Sequence, residues 1–153
     1  MGERRRRGFG DETWRLAWEG DAAALQRAAG LLLEGDLAYD AHRARAFALA
    51  LEGDADAALA QLNDGWTEDW PFPAAYAADA ARVRYLAGDY ARALGALRLA
   101  VHGADRLDPA VAELAAAVVA RAPGLRFRAL KVVLSGGTLW QRLRNGARVV
   151  VSR

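Results

Sequence analysis

Side chains that perform nucleophilic, acid–base or metal chemistry are scarce in this chain. It has no cysteine and two histidines, His42 and His102, which lie sixty positions apart. Serine occurs twice and threonine three times, so hydroxyl nucleophiles are also few. Zinc sites need clustered Cys and His ligands, which this sequence lacks. The sequence therefore predicts a protein that is not an enzyme and binds neither metal nor cofactor.

Carboxylates are plentiful, but no spacing among them selects an acid–base pair. The densest group is Asp64, Glu68 and Asp69, in a segment that is also rich in tryptophan. Calcium binds such oxygen ligands, but these three residues lack the spacing of a calcium loop. We interpret them as a solvated acidic turn.

The charges are sorted along the chain, although the formal net charge is only +2. Residues 1–10 hold four Arg and one Glu (+3), residues 11–120 hold nine Arg and eighteen acids (−9), and residues 121–153 hold seven Arg, one Lys and no acid (+8). The basic ends either improve solubility, dock onto the acidic middle or contact phosphate-bearing partners. The candidate phosphate contacts are Arg4, Arg5, Arg6, Arg7, Arg126, Arg128, Lys131, Arg142, Arg144 and Arg148.

The length and composition of the chain indicate what class of protein positions these residues. A chain of 153 residues with 54% apolar residues and four prolines can form one domain with its own core, which excludes disorder. No apolar run reaches the length of a membrane span. Arg4–Arg7 resemble the charged start of a secretory signal, but Asp11, Glu12 and Arg15 interrupt the apolar stretch that should follow. We therefore expect a cytoplasmic location.

The dipeptide Gly-Asp gives the chain an internal period. It occurs at 20–21, 35–36, 53–54 and 88–89, and three of these sites are spaced by 33 and 35 residues. That period is typical of stacked helix pairs. Glycine accepts the left-handed conformation that ends one helix, and aspartate caps the next. We expect a helix, a turn and a second helix around Gly20, Gly53 and Gly88, with Gly35 between two pairs.

The predicted architecture is all-α. The expected helices span residues 11–19, 21–34, 37–52, 54–64, 73–87, 89–102 and 108–122. Asp108-Pro109 is a typical helix start, and Pro123-Gly124 ends that helix. We predict a basic arm at 1–10, a repeat domain at 11–122 built as a right-handed solenoid of three helix pairs plus a capping helix, and a basic segment at 123–153.

Residues around the second and third turns agree in register. Counted from the turn glycine, small residues lie seven positions before it and five positions after it. A large apolar residue lies nine positions after it, and another small residue lies twelve positions after it. These positions hold Ala46, Ala58, Leu62 and Gly65 at the second turn, and Ala81, Ala93, Leu97 and Ala100 at the third. The pattern, best matched by 86–94, resembles the tetratricopeptide repeat. At the first turn Thr13, Leu25, Ala29 and Leu32 occupy these positions, so only Gly-Asp is kept there.

The resemblance implies a concave groove lined by the first helix of each pair. The groove residues it implies are Trp14, Trp18, Arg43, Phe47, Arg82 and Tyr85. Aromatic residues and arginine are enriched at binding hot spots. Alternatively, Phe47 is a core residue, and Trp14 and Trp18 only staple the first repeat. The lysine and asparagine set that clamps a peptide carboxylate in this family is missing, so we do not expect a chaperone-tail ligand.

The connection 64–73 is longer than a standard repeat turn and contains Trp66, Trp70 and Phe72. Tryptophan exposed in a loop would be a binding anchor. Alternatively, Trp66 and Trp70 fold back to fill a gap between repeats.

Two interpretations compete for the C-terminal segment. Asn145-Gly146 followed by Val149-Val150-Val151 favours a basic β-hairpin at 138–152. A fourth repeat on Gly124 would instead place Ala117, Ala129, Val133 and Gly136 in register. The stretch 125–134 is left open. We favour the hairpin.

These patterns predict a non-catalytic adaptor that binds a protein or peptide through the groove and the tryptophan loop. The alternative is a nucleic-acid-associated regulator whose basic ends contact phosphates. Neither the partner nor the oligomeric state follows from the sequence, and a homo-oligomer is compatible with both functions.

Overall fold

The structure is a computed structural model, and it describes residues 12–66, 73–102 and 108–151. Within these residues the chain is helical and contains no strand, which confirms the all-α class. Helix α1 covers residues 12–19. The later helices are α2 (Ala22–Glu34), α3 (Ala38–Leu51), α4 (Ala55–Gly65), α5 (Pro73–Leu86), α6 (Tyr90–Val101), α7 (Pro109–Arg121), α8 (Arg126–Leu134) and α9 (Leu139–Val151). Both ends of α2 to α7 lie within one residue of the predicted ends.

The three repeat turns have the geometry that the sequence predicts. Gly20, Gly53 and Gly88 have φ values of 79°, 90° and 83°, in the left-handed region that glycine accepts most easily. The aspartate after each glycine caps the following helix. Asp21 accepts a hydrogen bond from the Ala24 amide (2.8 Å), Asp54 from Ala57 (2.9 Å) and Asp89 from Arg92 (3.3 Å).

The Gly-Asp at 35–36 forms a different turn, as expected for a site between two pairs. Here Asp36 has the positive φ (58°), whereas Gly35 has φ −83°. Asp36 does not cap α3, because the N-cap of that helix is Leu37, which makes no side-chain cap bond.

Burial follows the repeat register in all three pairs. The residues seven before, five after and nine after each turn glycine are buried. They are Thr13, Leu25 and Ala29 around Gly20, Ala46, Ala58 and Leu62 around Gly53, and Ala81, Ala93 and Leu97 around Gly88. The first pair therefore buries equivalent positions although its residue types differ. The arrangement of the pairs as a right-handed solenoid stays a prediction.

The described residues form two compact units. The first is the described part of Met1–Pro71 with Leu86–Gly88. Its helix α3 packs against both α2 and α4, which is why eight residues of α3 are buried. Close approach of α3 and α4 depends on Gly65, because a Cβ there would lie 2.5 Å from the Cβ of His42. His42 is therefore a partly buried packing residue, and its Nδ1 lies 2.5 Å from Nε2 of Gln61.

The second unit is the described part of Phe72–Tyr85 with Asp89–Arg153. Asp108 caps α7 by accepting a hydrogen bond from the Ala110 amide (2.9 Å), and Pro109 occupies the first turn, as predicted. Helix α8 packs against α6 and α7, and α9 packs against α7 and α8. The core of this unit is aliphatic. It includes Val83, Leu94, Leu97, Val101, Val118, Val119, Val133 and Val149.

The predicted β-hairpin at 138–152 is wrong, because residues 139–151 form helix α9. Its start is a capping box in which Thr138 Oγ1 accepts from the Gln141 amide (3.3 Å) and Gln141 Oε1 accepts from the Thr138 amide (3.1 Å). Asn145 and Gly146 lie inside this helix and are buried. The open stretch 125–134 is the end of a short 3₁₀ turn (Pro123–Leu125) followed by α8.

The helical alternative for the C-terminal segment fits better. A fourth repeat on Gly124 places Ala129, Val133 and Gly136, which are buried, and Ala117, which is half-buried, in register. Gly124 itself lacks the positive φ of the three repeat-turn glycines, so the turn differs. No helix among the described residues is long and apolar enough to cross a bilayer.

Candidate functional site

Four of the six predicted groove residues meet in the first unit, which we call the tryptophan cluster: Trp14, Trp18, Arg43 and Phe47. Trp14 and Trp18 lie one turn apart on α1, with ring centroids 5.6 Å apart. Trp14 packs edge to face on Phe47 of α3 at 5.5 Å, and the Arg43 guanidinium lies 5.0 Å from the Phe47 ring centroid. Aromatic pairs of this geometry contribute about 0.5–1.5 kcal/mol beyond the area they bury.

Exposure rises across the tryptophan cluster from α3 to α1. Phe47 is fully buried and Arg43 is 6% exposed, whereas Trp14 is half-buried and Trp18 is 53% exposed. Phe47 is therefore a core residue, which was the alternative interpretation of the sequence. Arg43 packs on Phe47 below the surface. The contact area available to a ligand comes from the two indoles.

A charged strip borders the exposed tryptophan. Arg15 of α1 is hydrogen-bonded to Glu12 and, at 2.5 Å, to Glu19. The hydrogen bond from Arg15 holds the pKa of the Glu12 carboxyl below its usual range. At about 100° of rotation per residue, Trp18 lies between this strip and the buried Ala17. An apolar anchor with a polar rim is the usual composition of a protein interface.

The other two groove residues, Arg82 and Tyr85, lie on one face of α5 in the second unit. Arg82 forms an ion pair with the buried Asp79 (3.0 Å), one turn earlier on the same helix. Tyr85 packs on Tyr90 with ring centroids 5.7 Å apart. Burial raises the pKa of the Tyr85 hydroxyl, and nearby Arg121 opposes the rise. Asp79 was not singled out from the sequence, although its position three residues before Arg82 is the signal for such a pair.

Of the two predicted loop anchors, the structure describes one. Trp66 follows the last residue of α4 in an extended conformation, is 38% exposed and donates its amide to Asn63 O (3.0 Å). It is neither fully exposed nor folded away. Trp70, Glu68 and Asp69 lie outside the described residues.

All six described members of the predicted basic patch are exposed, namely Arg126, Arg128, Lys131, Arg142, Arg144 and Arg148. Their helices dock through buried apolar residues such as Val132, Val133 and Val149. Arg142 Nε donates to the carbonyl of Gly137 (3.1 Å). Arg4 to Arg7 lie outside the described residues.

Three cations line a cleft of about 410 Å³ between α6 and α8, which we call the cationic cleft. Its walls are formed by Leu94, Gly95, Arg98, Arg128, Lys131, Val132 and Ser135. Lys131 also lies 5.4 Å from the ring centroid of Phe127. The sequence analysis missed Arg98, because the other two cations of the cleft, Arg128 and Lys131, are thirty or more positions away in the chain.

Within the part of the chain that the structure describes, no group of three His, Asp or Glu residues could hold a metal ion. Comparisons with family models, with curated proteins and with solved structures gave no match to this chain. The resemblance to the tetratricopeptide repeat therefore stays a prediction that rests on the residues quoted above.

Proposed function

We propose that this chain is a non-catalytic adaptor that binds a partner protein or peptide, with Trp18 as its main anchor in the first unit. The observation that carries the proposal is that Trp18 is 53% exposed. Its ring lies against the ring of Trp14, which in turn packs on the buried Phe47. An exposed indole buries a large area on binding and loses little side-chain entropy. Its usual partner is an apolar side chain on the bound protein.

Preorganisation is the second argument for this surface. Trp14 contacts Trp18 on one side and Phe47 on the other, so the exposed ring rests on neighbours that are already ordered. A side chain that is ordered before binding avoids part of the entropic cost of forming the complex. Arg43 and Phe47 are positioning residues in this proposal rather than ligand contacts.

The test is an affinity pull-down with the full chain at low and high salt, with and without nuclease. We expect a partner that survives both treatments and is lost with Trp18→Ala. Leu99→Ala, which removes a 71% exposed side chain from α6, is the matched control and should retain the partner. Retention of the partner by Trp18→Ala would contradict the proposal.

We also propose that the protein is located in the cytoplasm, as the sequence analysis expects. Fractionation of cells that express the chain would test this location.

A second candidate function is a nucleic-acid-associated regulator, which the cationic cleft favours. Arg98, Arg128 and Lys131 line it together, and the sequence after Glu113 contains no acid to neutralise the last two. Phosphate contacts weaken log-linearly with salt, by roughly one unit of slope per contact. Arg128→Gln with Lys131→Gln should then lower duplex affinity and flatten the slope, whereas Arg27→Gln on α2 should do neither. A duplex affinity that does not respond to salt would exclude this function.

A further inference from the structure

Helix α9 has one buried face and, apart from it, an apolar face that is exposed. Its buried face carries Asn145, Gly146 and Val149, which pack toward α7 and α8. Its other face carries Leu139, Trp140, Leu143, Ala147, Val150 and Val151, all of them exposed. We call this second set the α9 apolar face. Trp140 is 80% exposed, which is more than any other large apolar side chain among the described residues.

Cations form one edge of the α9 apolar face. Trp140, Arg144 and Arg148 follow one another at intervals of four residues, so they lie in one row along the helix. The neighbouring helix α8 shows the same combination, since Phe127 is exposed and Lys131 lies 5.4 Å from its ring centroid. No acidic residue lies anywhere in α8 or α9.

We propose that α9 binds the surface of an anionic lipid bilayer, lying in the plane of the membrane. A helix with an apolar face that includes tryptophan and an arginine edge binds the headgroup region by apolar burial together with attraction to acidic lipids. Thirteen residues span only about 20 Å, so the helix lies on the bilayer rather than across it. A bilayer also accepts a convex helix face without offering a matching groove.

The charges argue against the α9 helix of a second copy as the occupant. An antiparallel symmetric contact between two α9 apolar faces would bring the Arg144 and Arg148 rows of both copies together. The segment after Glu113 contains no acid that could neutralise them. Anionic lipid supplies the opposite charge over the whole face.

The first experiment measures co-sedimentation of the full chain with vesicles. Phosphatidylcholine vesicles are compared with vesicles of equal parts phosphatidylcholine and phosphatidylglycerol, at low and high salt. We expect binding only to the anionic vesicles, weakened by salt. Leu143→Ser should lower partitioning about tenfold, and Arg144→Gln or Arg148→Gln about fivefold each. Leu99→Ser and Arg27→Gln make the same chemical changes on α6 and α2 and should leave partitioning unchanged.

The second experiment shows which helix enters the lipid. Brominated lipid in the anionic vesicles should quench the fluorescence of Trp140. Trp140→Phe keeps an aromatic ring, so this variant should retain binding but lose most of the quenching. Unchanged quenching in Trp140→Phe would overturn the proposal. An absence of binding to anionic vesicles at low salt would also overturn the proposal. In that case, dissociation of a dimer by Leu143→Ser would indicate a second copy of the chain as the occupant, and weaker duplex binding by Arg144→Gln would indicate nucleic acid.

Discussion

Trp14 and Phe47 pack edge to face with ring centroids 5.5 Å apart, joining α1 to the buried helix α3. Phe47 has no exposed surface, and Trp14 has some. The contact therefore divides the predicted groove residues into those that support the surface and those that form it. This division changes what each substitution should do.

Phe47→Ala should destabilise the protein by about 3–5 kcal/mol, because it removes a fully buried ring and leaves a cavity. The groove implied by the tetratricopeptide resemblance would place this residue at a binding surface, where truncation leaves the fold intact, whereas the core alternative agrees with its burial. Phe127→Ala makes the same change at an exposed ring and should cost less than about 1 kcal/mol. Urea unfolding measures both, and equal losses would contradict the assignment of Phe47 to the core.

Trp18→Ala should lower the free energy of unfolding by only about 1 kcal/mol, because the side chain is more than half exposed and loses mainly its ring contact with Trp14. If Trp18 is the anchor of a partner, the same change should weaken the complex by about 2 kcal/mol or more, roughly thirtyfold. Calorimetry with the captured partner measures the affinity, and denaturant unfolding measures the stability. A loss of stability equal to the loss of affinity would indicate a structural role instead.

Much of the fold follows from short patterns in the sequence, whereas exposure does not. Gly20-Asp21, Gly53-Asp54 and Gly88-Asp89 fix a turn and a cap locally, so the helix ends could be predicted to within one residue. The burial of Arg43 and Phe47 arises because α3 lies between α2 and α4. The burial of these two residues depends on how three helices pack together. It cannot be predicted from the number of positions between a residue and a turn glycine.

The C-terminal segment shows how two local signals can conflict. Asn145-Gly146 favours a hairpin turn, and Thr138 with Gln141 favours a helix start. The helix wins because it buries Asn145, Gly146 and Val149 on one side, a spacing typical of a helix and not of alternating strand residues. The capping box formed by Thr138 and Gln141 is the sequence signal for this helix, and the sequence analysis did not include it.

Gly65→Ala should destabilise the protein by about 1–3 kcal/mol, because its Cβ would lie 2.5 Å from the His42 Cβ on α3. Gly30→Ala is the matched control inside α2, where an added Cβ meets nothing within 4 Å. This control should stabilise the protein by about 0.5–1 kcal/mol through helix propensity. The two variants should therefore move the unfolding midpoint in opposite directions, and a shift in the same direction would contradict the close approach of α3 and α4.

Stability should fall as the pH rises above 10. Burial raises the pKa values of Tyr76 and Tyr85, while Arg84 and Arg121 respectively oppose the rise. Because the unfolded chain loses these protons at a lower pH than the folded chain, the stabilisation is complete below pH 10 and is lost as the pH passes the folded pKa values. Urea unfolding at a series of pH values checks this. A double variant, Tyr76→Phe with Tyr85→Phe, should have a flatter dependence, and an unchanged dependence would contradict the prediction.

Gly146→Ala separates the helix from the hairpin in solution. In α9 an alanine Cβ would lie 3.4 Å from Leu134 Cδ2 and 3.7 Å from Leu130 Cδ1, and the half-exposed Leu134 side chain can move slightly. Alanine also has the higher helix propensity, so the substitution should stabilise the protein by about 0.5–1 kcal/mol. In a two-residue hairpin turn the same position needs a positive φ, and alanine would destabilise it. Thermal unfolding followed by circular dichroism should show a higher midpoint with unchanged helicity. A lower midpoint would contradict the helix, because only the turn requires glycine at residue 146.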